Sequence, residues 1–269
     1  MDRFSRSWDL IKACFGVLSS DKELLLFPVI SGISSLLVLI SFALPLLFVR
    51  VFEHGVGFFG LAVGFAFYLC HFSLIFFFNS ALVGAALMRL KGENPSFIDG
   101  IGIAKQHLGA ILGYAAIAAT VGMLLKTRRK RSGFIENSLR KMAGFAWTLS
   151  TFLVVPVLVT QHIGPIDAIK ESARLLKKTW GENLIGSAGL WLGFGVVSFV
   201  YVLASVGLVL AAAQVSSALA IGVAVLMLFG LGLISIVKSA ISAIYAAVLY
   251  RYAAERQAPE GFNPEQLAL

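Results

Sequence analysis

Lys238 stands about midway along an apolar segment of roughly 30 residues that ends at Arg251. An ammonium in the middle of a bilayer costs about 2.5 kcal/mol or more, so such a group faces water, a partner or a ligand rather than lipid tails. Ser235, Lys238, Ser242 and Tyr245 recur at three, four and three residues, which puts them on one helical face able to line a pore or an anion site. The structural alternative is a lysine that snorkels or pairs with a carboxylate at a helix end, beside serines that permit close helix packing. His71 and Asn79 stand eight residues apart, on loosely the same side of another apolar segment. They could face a polar interior, or each could make an interhelical hydrogen bond worth about 0.6 kcal/mol. Cys70 beside His71 is no metal site, since neighbouring helical residues point about 100° apart and no second pair supports them. Two basic groups complete the candidates, Arg128, Arg129, Lys130 and Arg131 in one run and Lys177 with Lys178, both suited to anions or lipid phosphates.

The elements that must carry these residues are membrane helices. Apolar runs near 24–49, 57–88, 108–125, 143–161, 184–213 and 218–250 mostly reach the roughly 20 residues that a hydrocarbon core of about 30 Å requires. Hydrophobic residues make up 58% of the chain and charged residues 13%, with a mean hydropathy of +0.88, a balance that excludes a water-soluble core. The fold class expected is all-α, a polytopic transmembrane bundle of about six spans in one domain, 1–253, with a loose polar tail at 254–269. No linker divides it.

Catalysis has no foothold in this pattern. None of the 14 Asp and Glu residues falls in the middle of a span, His54, His107 and His162 sit near segment ends, and no HExxH, GxSxG or Walker sequence occurs. The expectation is therefore no enzyme, no catalytic or metal residues and no cofactor. The net charge of +8 could suggest nucleic acid, but the basic residues cluster at span ends, where lipid headgroups are the natural partners.

Phe4, Trp8, Ile11, Phe15 and Leu18 recur at helical spacing, which predicts an amphipathic helix over 3–19. It either lies in the membrane interface or packs on the end of the bundle, and its interspersed charges argue against a cleavable signal peptide. Lys and Arg number four in the N-terminal segment, three in 89–107, four in 162–183 and two in the tail, thirteen against eight in the alternate set. The positive-inside rule then places both termini in the cytoplasm. The run at 126–131 is the exception to it. Either it forms an external collar, or segment 108–125 re-enters, or the charge bias elsewhere overrides it. Small-xxx-small steps at Gly60/Gly64, Gly109/Gly113 and Gly189/Gly193 predict close helix contacts.

An internal repeat relates Asn94 to Ile101 with Ile163 to Ile169 at an offset of 68 residues, from Asp99 to Asp167. Each copy reads as a short elbow helix, with Pro in its first turn and Asn94 or Gly164 as the cap. At these residues a likeness emerges. Ser7-Trp8, the Asp21-Lys22-Glu23-Leu24 step into Phe27-Pro28, Pro156, and Gly164-Pro165 through Ala168, Ser172, Leu175 and Trp180-Gly181 resemble an uncharacterised family of six-helix bacterial membrane proteins, domain of unknown function 6159. More distantly they are similar to YciC-like inner-membrane proteins. The resemblance implies a fold and a bacterial inner membrane, and carries no assigned chemistry.

The functional expectation is a small channel or permease, anion-favouring through Lys238 and the basic run, working as a homo-oligomer. The rival is a non-transport scaffold that organises lipids or partner proteins. The bilayer is the one partner that both share; the ion or solute stays open.

Overall fold

The computed structural model describes residues 3–48, 58–126, 134–178 and 180–255, with side chains described for 11–44, 60, 62–125, 142–177 and 193–254. The basic run Arg128, Arg129, Lys130 and Arg131 lies outside the described residues, as do the side chains of Phe4, Trp8 and Lys178. In chain order the elements are α1 (Arg3–Ser20), a 3-10 turn (Lys22–Leu25), α2 (Leu26–Phe48), α3 (Phe58–Arg89), α4 (Phe97–Gln106), α5 (Leu108–Lys126), α6 (Phe134–Ser150), α7 (Val154–Thr160), α8 (Pro165–Lys178), α9 (Trp180–Val215) and α10 (Ser217–Glu255). The chain is an all-α bundle, and six of its helical stretches are long and apolar enough to cross a membrane.

Its buried core does not fill the bundle evenly. It gathers at one end, where the start of α2, the ends of α3 and α10, and the helices α1, α4, α7 and α8 meet. Residues Ala240 to Ala253 of α10 are almost continuously buried there, whereas most of Val196 to Leu233, on the α9–α10 hairpin, is exposed. Exposed apolar surface of that extent is what lipid tails cover.

α1 joins this core through Ile11, Cys14 and Leu18, which follow one another at three and four residues. Phe15, expected on the same face, points away and is 44% exposed. The helix therefore packs on the bundle, against α9 and α10, and leaves Phe15 for the lipid.

The elbows are α4 and α8. The cap of α4 is Ser96, not Asn94: its hydroxyl accepts from Asp99 N–H at 3.3 Å while the Asp99 carboxylate accepts from Ser96 N–H at 2.9 Å. Glu23 reaches across to accept from Phe97 N–H at 2.9 Å and ties the elbow to the foot of α2. Hydrogen bonds from Ser96 hold the Asp99 carboxyl below its ordinary range. Gly164 caps α8 through its carbonyl, which accepts from Ala168 N–H at 2.9 Å, and Pro165 opens the helix as the sequence predicts. At the offset of 68 residues, Gly100 and Ala168 are both buried, Ala104 and Ser172 are both buried, and Ile98 and Ile166 are both exposed.

Close approach falls on only one of the expected glycines with a described environment, Gly113, and on others besides. A Cβ at Gly64, Gly109 or Gly193 would meet nothing within 4 Å, whereas at Gly100 it would lie 2.5 Å from Phe27 Cζ and 2.7 Å from the Ala81 carbonyl oxygen. Gly113 does abut a neighbour, the Cγ of Pro165, across the α5–α8 contact.

The fourth apolar run is one stretch in sequence and two helices in space. α6 ends at Ser150, residues 151–153 turn, and α7 restarts at Val154. Ser172 of α8 sits in the break, fully buried, and its hydroxyl accepts from Leu153 N–H at 3.0 Å. It thus satisfies a backbone donor that the interruption would otherwise strand in an apolar setting.

Candidate functional site

Where α2, α3, α7 and α10 fail to close on one another, they leave a cleft of about 830 Å³, inside the range of small-molecule sites. It rises from the packed end, beginning at Phe27, Val83 and Ala246. It ends at Leu36 and Phe229 and opens sideways, since Ile33, Leu36 and Phe229 on its rim are each more than half exposed. Prolines mark two of its walls. Pro28 and Pro156 each fall in the first turn of their helix, where a missing N–H costs no intrahelical bond.

The lining is apolar apart from one polar stripe. α10 contributes Ser235, Ser239 and Ser242, spaced four and three residues apart on one face; α2 contributes Ser31 and Ser35, and α3 contributes Asn79. Ser235 donates its proton to the Leu231 carbonyl at 2.9 Å, which leaves its oxygen free to accept. No charged side chain lines the cleft among the described residues. Such a surface offers hydrogen bonds to an apolar body and nothing to neutralise an ion.

Of the residues singled out from sequence, Asn79, Ser235 and Ser242 come together here. Lys238 does not line the cleft; it stands at the edge of that face, about 100° from Ser239 and about 40° from Ser242. It is half-buried and engaged with a neighbour, two residues before the buried run that starts at Ala240. Tyr245 also lies off the cleft. Its ring meets Phe152 edge-on at 6.1 Å, and its hydroxyl is buried without a hydrogen bond among the described residues. The four residues share an arc of about 80°, and the cleft takes only its Ser235 and Ser242 side.

His71 parts from Asn79 for the same reason of angle, eight residues being about 80° round a helix. The imidazole stacks on Phe67 with ring centroids 5.5 Å apart and lies 6.3 Å from the Phe72 ring, with Nδ1 buried and without a hydrogen bond among the described residues. Lys177 is exposed on α8, beside Lys170 and Arg174, which pair with Asp167 at 3.1 Å and Glu171 at 3.3 Å. Ser31, Ser35 and Ser239 escape sequence reasoning. The signal lay in Ser31/Ser35 and Ser235/Ser239, two i, i+4 pairs on separate spans.

Over residues 58–261, more than half of its length, the chain matches a family of unknown function (DUF6159), and it belongs to that family. No curated protein and no solved structure matches it, so the likeness rests on that family and not on the YciC-like resemblance.

Proposed function

We propose that this family member is a bacterial inner-membrane protein, with termini and elbows cytoplasmic, that holds one uncharged amphiphile of the adjacent leaflet in the serine-lined cleft. It organises lipid rather than catalysing a reaction. The observation that carries this reading is the cleft itself: sideways-opening, apolar, crossed by hydroxyls and one carboxamide, and free of charge.

The length of α10 supports the placement. Ser217 to Lys238 is 22 residues, about 33 Å at 1.5 Å per residue, close to one hydrocarbon core of about 30 Å. With the hairpin tip at one surface, Lys238 reaches the other, where an ammonium costs little. The core layer of α1, α4 and α8 then lies at the cytoplasmic interface, with Ile98 and Ile166 exposed to lipid. From the level of Lys238 the cleft reaches about 14 Å into the bilayer, to Phe229, and about 12 Å into the core layer, to Ala246.

A small permease is the second reading, favoured by the broken fourth span, since Phe152, Val155 and Pro156 beside the break line the cleft. Its solute would be uncharged. Native mass spectrometry of protein released from nanodiscs tests the first reading, with an amphiphile retained by the native chain and lost from Ser239→Phe. Equal retention by both would contradict it. Anion-selective flux in liposomes, abolished by Lys238→Ala, would restore the channel.

A further inference from the structure

We propose that His107 and His162 form a pH-operated latch between the two elbow corners, closed while the buried His107 is neutral and released as it takes up a proton. His107 is the hinge of the first corner: its N–H donates to the Ile103 carbonyl at 3.3 Å to end α4, and its carbonyl accepts from Ile111 N–H at 3.0 Å as α5 begins. His162 stands in the link from α7 to α8. Their ring centroids are 4.9 Å apart, with His107 only 9% exposed and His162 open to solvent. The same corners interlock again at Gly113 and Pro165. The ring pair is thus part of the contact that holds α8 against α5.

What surrounds the pair decides how it responds to acid. α7 carries no titratable side chain, and α5 brings Tyr114 among its described side chains. α4 brings Asp99 and Lys105, while α8 brings Asp167, Lys170, Glu171, Arg174 and Lys177, of which Asp167–Lys170 and Glu171–Arg174 are ion pairs within the helix. From α10, Tyr250 accepts hydrogen bonds from Thr160 at 2.7 Å and Gln161 at 3.2 Å, just before His162. No carboxylate is paired with either imidazole among the described residues, so no counter-charge waits for the protons.

Burial, and secondly the charge of His162, push the His107 imidazole below its ordinary value of 6.5. The closed corner therefore resists protonation that the released corner accepts. The closed corner is thus favoured above pH 6.5, and below it each pH unit of acid favours release through His107 by up to about tenfold. α7 lines the cleft with Val155 and Pro156, so release at its end reaches the cleft wall.

The test uses the full chain in nanodiscs, with Cys70→Ser and spin labels at Gln106→Cys and Ile166→Cys, read by double electron–electron resonance at pH 7.5 and 5.5. The native latch should show a longer-distance population at pH 5.5, His107→Gln should hold it at its pH 7.5 level, and His162→Gln, an exposed position, should keep a weakened response through His107. Identical distributions at both pH values, or an acid response that survives in the His107→Gln/His162→Gln pair, would overturn the latch. No ligand enters this measurement, so its failure leaves the cleft reading standing.

Discussion

Replacing Gly100 by alanine adds one methyl group where α4 crosses α3, and the neighbouring Gly102 supplies its control. At position 100 the new carbon would lie 2.7 Å from the Ala81 carbonyl oxygen and 2.5 Å from Phe27 Cζ, against ordinary approaches of about 3.3 Å and 3.5 Å. Neither neighbour can yield cheaply. Ala81 is fully buried in α3, and Phe27 is 1% exposed, with its ring 4.8 Å from that of Phe97. At Gly102 the added carbon meets nothing within 4 Å. Both sites lie in α4, so the helical advantage of alanine over glycine, about 1 kcal/mol, is common to both and cancels in the comparison. What remains is the overpacking term, about 1–3 kcal/mol. Gly102→Ala should thus be slightly more stable than the native chain, and Gly100→Ala less stable than Gly102→Ala by that amount. Reversible unfolding of the purified protein in mixed micelles measures the difference directly. Two variants within about 0.5 kcal/mol of each other would refute the claim that α4 is seated on α3 by the missing side chain.

Ser172→Ala removes the acceptor for Leu153 N–H at the break in the fourth span and should cost about 1–3 kcal/mol in the same unfolding assay. Faster hydrogen exchange should accompany it at the start of α7, and a loss below about 0.5 kcal/mol would show that the break is held otherwise. Burial pushes the Cys14 thiol up to about 12, so in the folded protein at pH 8 a membrane-permeant maleimide should modify only the exposed Cys70. Denaturation should raise the count to two thiols, and rapid labelling of folded Cys14 would contradict the packing of α1. Stability should fall as pH drops below 6.5, because the unfolded chain protonates His107 before the folded one does, by up to about 1.4 kcal/mol per pH unit. His107→Gln should flatten that part of the unfolding-versus-pH curve; an unchanged curve would remove His107 as its source.

The helices were legible because bilayer thickness imposes a length that apolar runs either meet or miss, and the six candidate spans fall close to the sequence-derived ones. The break in the fourth span was not, since Leu149 to Val159 reads as one apolar run. Its interruption is stabilised by Ser172, a residue about twenty positions away on another helix. Lys238 drew attention by its cost in lipid, yet that cost depends on depth, and depth depends on where the packed end of α10 begins. Angular register caused the remaining misses. A spacing of three or four residues narrows a face without fixing its centre, so Ser235 and Ser242 reached the cleft while Lys238 and Tyr245 flanked it. Asn79 entered the cleft because α2 and α10 converge on that side of α3, a meeting of three helices that no single helix records.

The most direct test of the amphiphile-binding cleft is photolabelling of the protein in liposomes with a monoacylglycerol carrying a diazirine in its chain. Adducts mapped by peptide mass spectrometry should concentrate on 29–36 of α2 and 229–243 of α10 and fade in Ser239→Phe, with the lipid-exposed stretch 196–210 of α9 labelled only at background. Labelling spread evenly over α9 and the cleft, and indifferent to Ser239→Phe, would mean that the cleft holds nothing that the surrounding bilayer does not.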